Sequence, residues 1–461
     1  MRQTWPPVPP PGLLRPIQLA CPPGGHFGCD EEASPCCAQP ALASCTRATV
    51  NSSELLSRQD LLLPGISNTF TFRGLVGPRG IRYTSAAGDE ALLTVNAATG
   101  RVFGTFTTMG EAATNTYVLE NCDDHQVWLQ FQDNIEPELP ENFVSEHNNF
   151  FDGHNHSEEE FDLDISMPEA ARDSTTMAEY SVMVYYTPQF ARITRDIPGF
   201  LDQVMTETNL GYANSEIPLR VRIHCVEEAT IDDDPDDGIE GINNSRRRVL
   251  AMKKDMAALR NTADTVVVLF AKLGFISGYA PFRYSMADGN TLVLCTKAGA
   301  LGRLSFGHEL AHTMGAWHDA GQAGQNPHYP HAHGHLLNLG KAKQKLGFRS
   351  IMSYNASGHQ HRINYYSNPK VKYWVTGTPT GSEDDNNADV ITRNRMALQA
   401  IGDESSECHA ALARTTVAGE ACILPFTYQG ATHRDCITRG AARPWCATAT
   451  GSGYCRPQNT G

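Results

Sequence analysis

Gly307-His308-Glu309-Leu310-Ala311-His312-Thr313-Met314-Gly315-Ala316-Trp317-His318-Asp319 decides how this chain is read. His308 and His312 stand four apart, so on a helix they share one face, a turn from each other. Two imidazoles at that spacing reach one metal ion. Glu309 follows the first of them and can lean over the position that a water would take on such an ion. Gly315, three residues after the second histidine, can adopt the left-handed conformation that ends a helix and turns the chain back. His318 then arrives from beyond the turn as a third ligand. Three neutral nitrogens and a water make an open tetrahedral site, the arrangement of catalytic rather than structural zinc. The bland reading is a helix with two surface histidines and a stray third, and it needs five fixed residues to coincide by chance.

The pattern H-E-x-x-H-x-x-G-x-x-H-D, as it stands here, resembles the signature of the metzincin metallopeptidases. The resemblance implies a tight methionine-containing turn downstream, and Ser350-Ile351-Met352-Ser353-Tyr354 supplies one. It implies that His308, His312 and His318 hold Zn²⁺ and that Glu309 acts as general base toward the attacking water. Met352 is expected to pack beneath the ligands without coordinating, a thioether being a weak ligand. Tyr354 stands where astacin-like and serralysin-like peptidases place a donor to the oxyanion; its other reading is a packed wall residue. Asp319 is expected to hold the loop below the site. His318-Asp319 looks reprolysin-like and Met352-Ser353-Tyr354 looks serralysin-like, so the two halves point to different subfamilies.

The rest of the composition narrows the class. With 461 residues the chain has room for two to four domains. Its 41% apolar and 19% charged residues describe a globular protein rather than a disordered one. A formal net charge of −14 argues against a nucleic-acid partner, since phosphate binding needs a basic face, and no apolar run reaches membrane-spanning length. Thirteen cysteines, clustered at both ends, point to an oxidising, extracellular compartment. Four sequons, at Asn51, Asn155, Asn243 and Asn355, agree with secretion. The first 25 residues are Pro-rich and show no signal-peptide core.

Along the chain, residues 1–49 read as a Pro- and Cys-rich segment. Residues 50–132 carry short alternating runs, such as 91–95, 102–106 and 127–131, separated by Gly and Asn turns. That pattern predicts a small β-sandwich or barrel, and it resembles the pro-domains that precede reprolysin-like peptidases. Residues 133–176 are acidic and His-containing and read as a solvated linker; a sharper reading gives that linker, or the Cys122 thiol, a part in latency. Residues 177–405 alternate strands (181–186, 219–224, 265–271, 291–295) with helical patterns, which predicts an α/β layer with a twisted sheet backing long helices. The metzincin resemblance implies that the neighbourhood 286–296 forms the sheet edge along which an extended substrate pairs. His328, His331, His333 and His335 read as a solvated loop, with no acidic or Cys partner nearby in sequence. The acidic run 232–237 could attract Ca²⁺ but lacks the spacing of a known cage.

Residues 406–461 hold five cysteines, the last four of them in a compact pattern. Ala421-Cys422-Ile423-Leu424-Pro425-Phe426-Thr427-Tyr428, Cys436, Trp445-Cys446-Ala447-Thr448 and Tyr454-Cys455 resemble a fibronectin type II module. The resemblance implies pairing of Cys422 with Cys446 and of Cys436 with Cys455. It also implies a shallow face of Phe426, Tyr428, Trp445 and Tyr454 for extended collagen- or gelatin-like chains.

The expectation is therefore a multidomain protein: a β-rich pro-domain, an α/β metzincin catalytic domain and a small disulfide-rich module. Its expected work is Zn²⁺-dependent hydrolysis of peptide bonds in extended proteins outside the cell, without nucleic-acid partners. The rival reading is an inactive peptidase-like protein that binds matrix through the type II module.

Overall fold

A computed structural model describes residues 17–18, 42–48, 61–62, 69–76, 80–96, 101–109, 114–121 and 126–131. It further describes 176–402, apart from 195, 237, 281–290, 322–326, 340–346 and 355–360, and then 416–417, 422, 426–428, 431–433, 445–448 and 451–455. The expected linker 133–176, with all but one of its residues, and the sequons at Asn51, Asn155 and Asn355 lie outside these, as do Cys122 and Cys436.

The N-terminal part is β-rich. Its strands are β1 (Ile17–Gln18), β2 (Leu42–Ala48), β3 (Leu61–Leu62), β4 (Thr69–Val76), β5 (Gly80–Thr84), β6 (Glu90–Val95), β7 (Val102–Met109), β8 (Thr114–Asn121) and β9 (Gln126–Phe131). They hydrogen-bond in the order β1-β3-β4-β5-β6-β7-β8-β9-β2. The pairing is one nine-stranded sheet, a meander from β3 to β9 closed by β2 returning to the far side of β9, where a two-sheet sandwich was one expectation. Phe70, Ile81, Tyr83, Leu93 and Phe106 form its own core.

The second layer system begins at β10 (Ala178–Tyr186), followed by α1 (Pro188–Ile193), α2 (Ile197–Asn214), β11 (Leu219–Glu228), α3 (Ile239–Ala251), α4 (Met256–Arg260), β12 (Thr265–Phe270), β13 (Gly278–Tyr279) and β14 (Leu292–Thr296). The order β11-β10-β12-β14-β13 is parallel except for β13, which runs antiparallel at the edge. Parallel strands covered on both faces read as unbroken apolar runs. Thr265-Val266-Val267-Val268-Leu269-Phe270 is accordingly buried at every position. The resemblance put the substrate edge at 286–296, but β14 lies inside the sheet and the two-residue β13 forms the edge. A strand of two residues is too short for periodicity to reveal.

After β14 come α5 (Lys297–Ala300), α6 (Ser305–Thr313), the small strands β15 (Leu336–Leu337), β16 (Phe348–Arg349) and β17 (His361–Arg362), and α7 (Asn387–Gln399). The core between sheet and helices joins Val182, Val184, Phe200, Val204, Val267, Leu269, Phe306, Leu310, Met352 and Ile391. Each such fully buried aliphatic or aromatic side chain contributes about 1.5–3 kcal/mol.

The N-terminal sheet packs on α2. Phe103 and Val118 enter the same core as α2. Gln203 Nε2 donates to the Leu92 carbonyl (3.1 Å), and Thr105 Oγ1 donates to Glu207 Oε1 (2.9 Å). Asp196 does two jobs: its side chain accepts from Gly199 N as the N-cap of α2, and it accepts from Asn96 Nδ2 (3.1 Å).

In the C-terminal part, β18 (Phe426–Tyr428) pairs with β19 (Ala431–His433), and β20 (Trp445–Thr448) pairs with β21 (Gly451–Tyr454). Cys422 and Cys446 are disulfide-bonded, the first-with-third pairing that the type II resemblance implies. Cys455 is also disulfide-bonded.

Candidate metal centre

The helix α6 carries two of the three histidines. Leu304 caps its start with a left-handed backbone (φ 59°) and no side-chain cap, a conformation that costs a non-glycine residue about 1 kcal/mol or more. At the other end Gly315 takes φ 92°. Its N–H donates to the His312 carbonyl (3.0 Å), while Ala316 N–H reaches back to the Ala311 carbonyl (3.0 Å). These two bonds form the Schellman pattern, which satisfies carbonyls that the helix end would otherwise leave open. The turn does more than stop the helix. It brings the Ala316 carbonyl within 2.9 Å of His312 Nδ1 and sends the chain toward His318.

His308 Nδ1 lies 2.8 Å from the Ile351 carbonyl, so the methionine-containing turn is tied directly to the first ligand. A carbonyl oxygen can only accept, so each of these Nδ1 atoms must be the protonated one. In a neutral ring the proton on Nδ1 leaves Nε2 with a lone pair. The three Nε2 atoms then face one another at 3.2 Å (His308–His318), 3.1 Å (His308–His312) and 3.0 Å (His312–His318). Tetrahedral ligands about 2.0–2.1 Å from a zinc ion stand roughly 3.3 Å apart. Converging lone pairs repel unless a cation lies between them, so the donor set fits a metal ion. His308, His312 and His318 can hold one, and all three are buried.

Burial is also what keeps the rings neutral. It lowers His312 to about 4. It lowers His308 and His318 well below the ordinary imidazole value, and the charge of His312 and the Arg362 guanidinium push in the same direction.

Glu309 is buried beside the edge strand. A Cβ on Gly278 would stand 2.7 Å from Glu309 Oε1, so only glycine lets β13 pass this close to the carboxylate. The charge of Glu309 helps to raise the Tyr279 hydroxyl and the Cys295 thiol, although burial is the main cause in both. The carboxylate therefore faces β13 and β14. Met352 is fully buried in the core that contains Leu310 and Ala311, and Ser353 N–H closes the turn on the Ser350 carbonyl (3.1 Å). The Tyr354 ring lies 4.2 Å from the His318 ring and 6.1 Å from that of His308, centre to centre. Asp319 Oδ2 accepts from Tyr354 N–H (2.9 Å), which ties the third-ligand loop to the turn.

The downstream histidines are placed differently from the sequence expectation. His331 Nε2 meets Asp389 (2.9 Å), His335 Nδ1 meets Asp385 (2.8 Å), and His333 Nδ1 meets the His318 carbonyl (3.0 Å). Acidic partners do accompany this loop, supplied by α7 and the residues just before it. Sequence distance hid them. The acidic run 232–237 is spent on local structure. Asp233 accepts from Thr187 Oγ1 and Lys272 N–H, Asp234 pairs with Arg248, and Asp236 accepts from Gly238 N–H. Among the described residues of this run, no group of carboxylates stands arranged as metal ligands. In the C-terminal part, Tyr428 and Trp445 pack edge to face (4.9 Å between centres). Tyr454 lies opposite Trp445 in the β20–β21 pairing and is half exposed.

Residues 176–367 match the model of metallo-peptidase family M12, and residues 422–452 match that of the fibronectin type II domain. A peptidyl-Asp metalloendopeptidase of Stenotrophomonas maltophilia (strain K279a) is 27% identical over 241 residues, covering 50% of this chain and 55% of that protein. Its counterpart in strain R551-3 is 25% identical over 237 residues with the same coverage. A peptidyl-Asp metalloendopeptidase of Xanthomonas campestris pv. campestris is 37% identical over 83 residues, 18% of each chain. The chain spans about half the length of the first two of these relatives.

Proposed function

We propose that this chain, which carries a metallo-peptidase domain of family M12 and a fibronectin type II module, works as a zinc-dependent metalloendopeptidase on extended protein substrates. The observation that carries the reading is the convergence of three Nε2 atoms, each buried, with two of the rings oriented by main-chain carbonyls.

In this reading His308, His312 and His318 hold the ion. A zinc ion there supplies Lewis acidity, polarising a scissile carbonyl and acidifying water. Glu309 accepts the proton of the attacking water and returns it to the leaving amine. Its place against β13 supports that role, because a substrate strand pairing with the β13 edge would run past the carboxylate. Tyr354 donates to the developing oxyanion from beside His318. Gly315, Met352 and Asp319 shape the site without touching substrate. This is the metzincin arrangement, on an enzyme whose catalytic domain spans 177–405.

The remaining regions take roles from the same reading. Residues 50–132 act as a pro-domain seated on α2, with 1–49 before it and 133–176 as the linker. Residues 406–461 present Tyr428, Trp445 and Tyr454, with Phe426, to collagen- or gelatin-like chains outside the cell, and Cys436–Cys455 is their second bridge. The relatives' name adds a preference: the enzyme cuts peptide bonds beside aspartate. An inactive matrix-binding protein is disfavoured, because all three histidines and Glu309 are in place.

Glu309→Gln tests the chemistry. It is expected to keep zinc and fold while cutting turnover of a mixed peptide library by about 10³-fold or more. Wild-type rates in that variant would remove Glu309 from the mechanism.

A further inference from the structure

The helix α2 presents two unlike faces. Phe200, Leu201, Val204 and Tyr212 enter the core that it shares with the parallel sheet. Gly199, Gln203, Thr206 and Glu207 form a second stripe at helical spacing, and this one meets the N-terminal sheet. Gly199 lies so close to the Phe103 ring that a Cβ there would collide with it, and Thr206 lies against Gly80. Gln203 donates to the Leu92 carbonyl, and Glu207 accepts from Thr105. Both side chains are buried, and Gln203 Oε1 and Glu207 Oε2 make no hydrogen bond among the described residues. A stripe of Gly, Gln, Thr and Glu is well solvated when uncovered. Covering it costs most at the carboxylate, whose charged form loses water without gaining a cation.

We propose that this stripe of α2 is a detachable docking surface for the chain's own N-terminal sheet, held in acid and loosened when Glu207 ionises. The proposal stands whether or not the sheet restrains the peptidase. Glu207 from α2 and Glu90 from β6 line one cavity between the two layers. Glu90 is paired with Arg82 (2.6 Å), whereas no cation pairs with Glu207 among the described residues. Burial pushes the Glu207 carboxyl up to about 7 and the Glu90 charge adds to that, while the Thr105 hydroxyl and the Gly302 main chain oppose it. The other groups around the cavity do not titrate between about pH 5.5 and 8. Burial holds His361 down at about 4 and pushes the Tyr365 and Tyr373 hydroxyls up. Arg362, which turns Nη1 to the Arg303 carbonyl (2.7 Å), and Arg82 stay cationic throughout. A docked Glu207 thus keeps its proton to about pH 7, and a solvated one releases it near 4.5. Docking is at full strength below about pH 4.5 and weakens as pH rises through 7.

Thiol trapping in the full chain provides the test. Leu210 is buried at the same cavity, so Leu210→Cys sets a thiol that an alkylating reagent reaches only when the sheet lifts from α2. Alkylation at about pH 5.5 and 8, each divided by the rate of the unfolded chain at that pH, gives the opening constant. It is expected to rise roughly 30-fold between the two pH values. Cys295, a free thiol buried in β14, reports opening of the parallel sheet and is expected to change by less than about threefold. Adding Glu207→Gln, the isostere of the protonated carboxyl, should hold the Leu210→Cys opening near its acid value at both pH values, and adding Glu90→Gln should preserve the rise. Thermal melting checks that each variant is folded. Should Glu207→Gln fail to fold, Thr105→Val supplies a second arm: it removes a donor that favours the charged carboxylate, so opening should increase further at pH 8 and stay within about threefold at pH 5.5. An opening constant indifferent to pH, a rise that persists in Glu207→Gln, or an equal rise at Cys295 overturns the proposal.

Discussion

Two groups of three histidines lie close together in this sequence and end in different arrangements. The rings of His308, His312 and His318 are buried; two carry their protons on nitrogens that face main-chain carbonyls, and their other nitrogens converge. His331, His333 and His335 spread their nitrogens over three separate partners: Asp389, the His318 carbonyl and Asp385. The second group braces the loop that carries the third member of the first. What separates a metal site from a structural cluster is whether the near nitrogens meet at one point after the far ones have been tied down. The count of histidines does not decide it.

The largest effect expected from this contrast is on turnover. His312→Ala should reduce peptide hydrolysis by about 10⁴-fold or more, because two ligands cannot keep a catalytic ion in place. His331→Gln and His335→Gln should leave kcat/KM within about threefold and cost at most about 1 kcal/mol in a melting experiment, since both pairs are partly exposed. Equal losses in both sets would erase the distinction.

Acid should come next in size. Burial holds His312 down at about 4 against an ordinary 6.5, and His308 and His318 are lowered too. Between those pH values the unfolded chain binds more protons than the folded one. The contribution of these rings to stability is therefore complete above about pH 6.5 and is lost as pH falls toward 4. Melting of the metal-free protein from pH 7.5 to 4.5 should show that decline, and zinc should dissociate over the same range because ligation needs neutral imidazole. A flat profile in the metal-free protein would contradict the burial of the triad.

A smaller effect is expected at Tyr354. Replacing it with Phe keeps the ring against His318 and removes only the hydroxyl. A fall of about 10- to 100-fold in kcat with KM little changed would mark a donor that acts in the transition state. An unchanged kcat would leave Tyr354 as a packed wall residue, the other reading of its position in sequence.

Much of this was legible in the sequence, and the reasons differ from element to element. The spacing of His308 and His312, Gly315 at the helix end and the turn around Met352 are local features, and local chemistry fixed their geometry. Thr265–Phe270 reads as a buried strand because a parallel strand covered on both faces has no polar side to alternate. What escaped was long-range. Phe103 and Val118 announce a buried face but not that α2 covers it. Asp385 and Asp389 are about fifty residues or more from the histidines they meet. The edge strand β13 is only Gly278–Tyr279, and its glycine is explained by the carboxylate of Glu309 passing beside it.

Zinc content of the purified chain, by mass spectrometry of the metal after exhaustive dialysis, bears most directly on the converging imidazoles. About one zinc per chain is expected in wild type and in the combined His331→Gln, His335→Gln variant, and none in His312→Ala. A wild-type protein that refuses zinc, or a His312→Ala protein that keeps it while the loop variant loses it, would contradict the account.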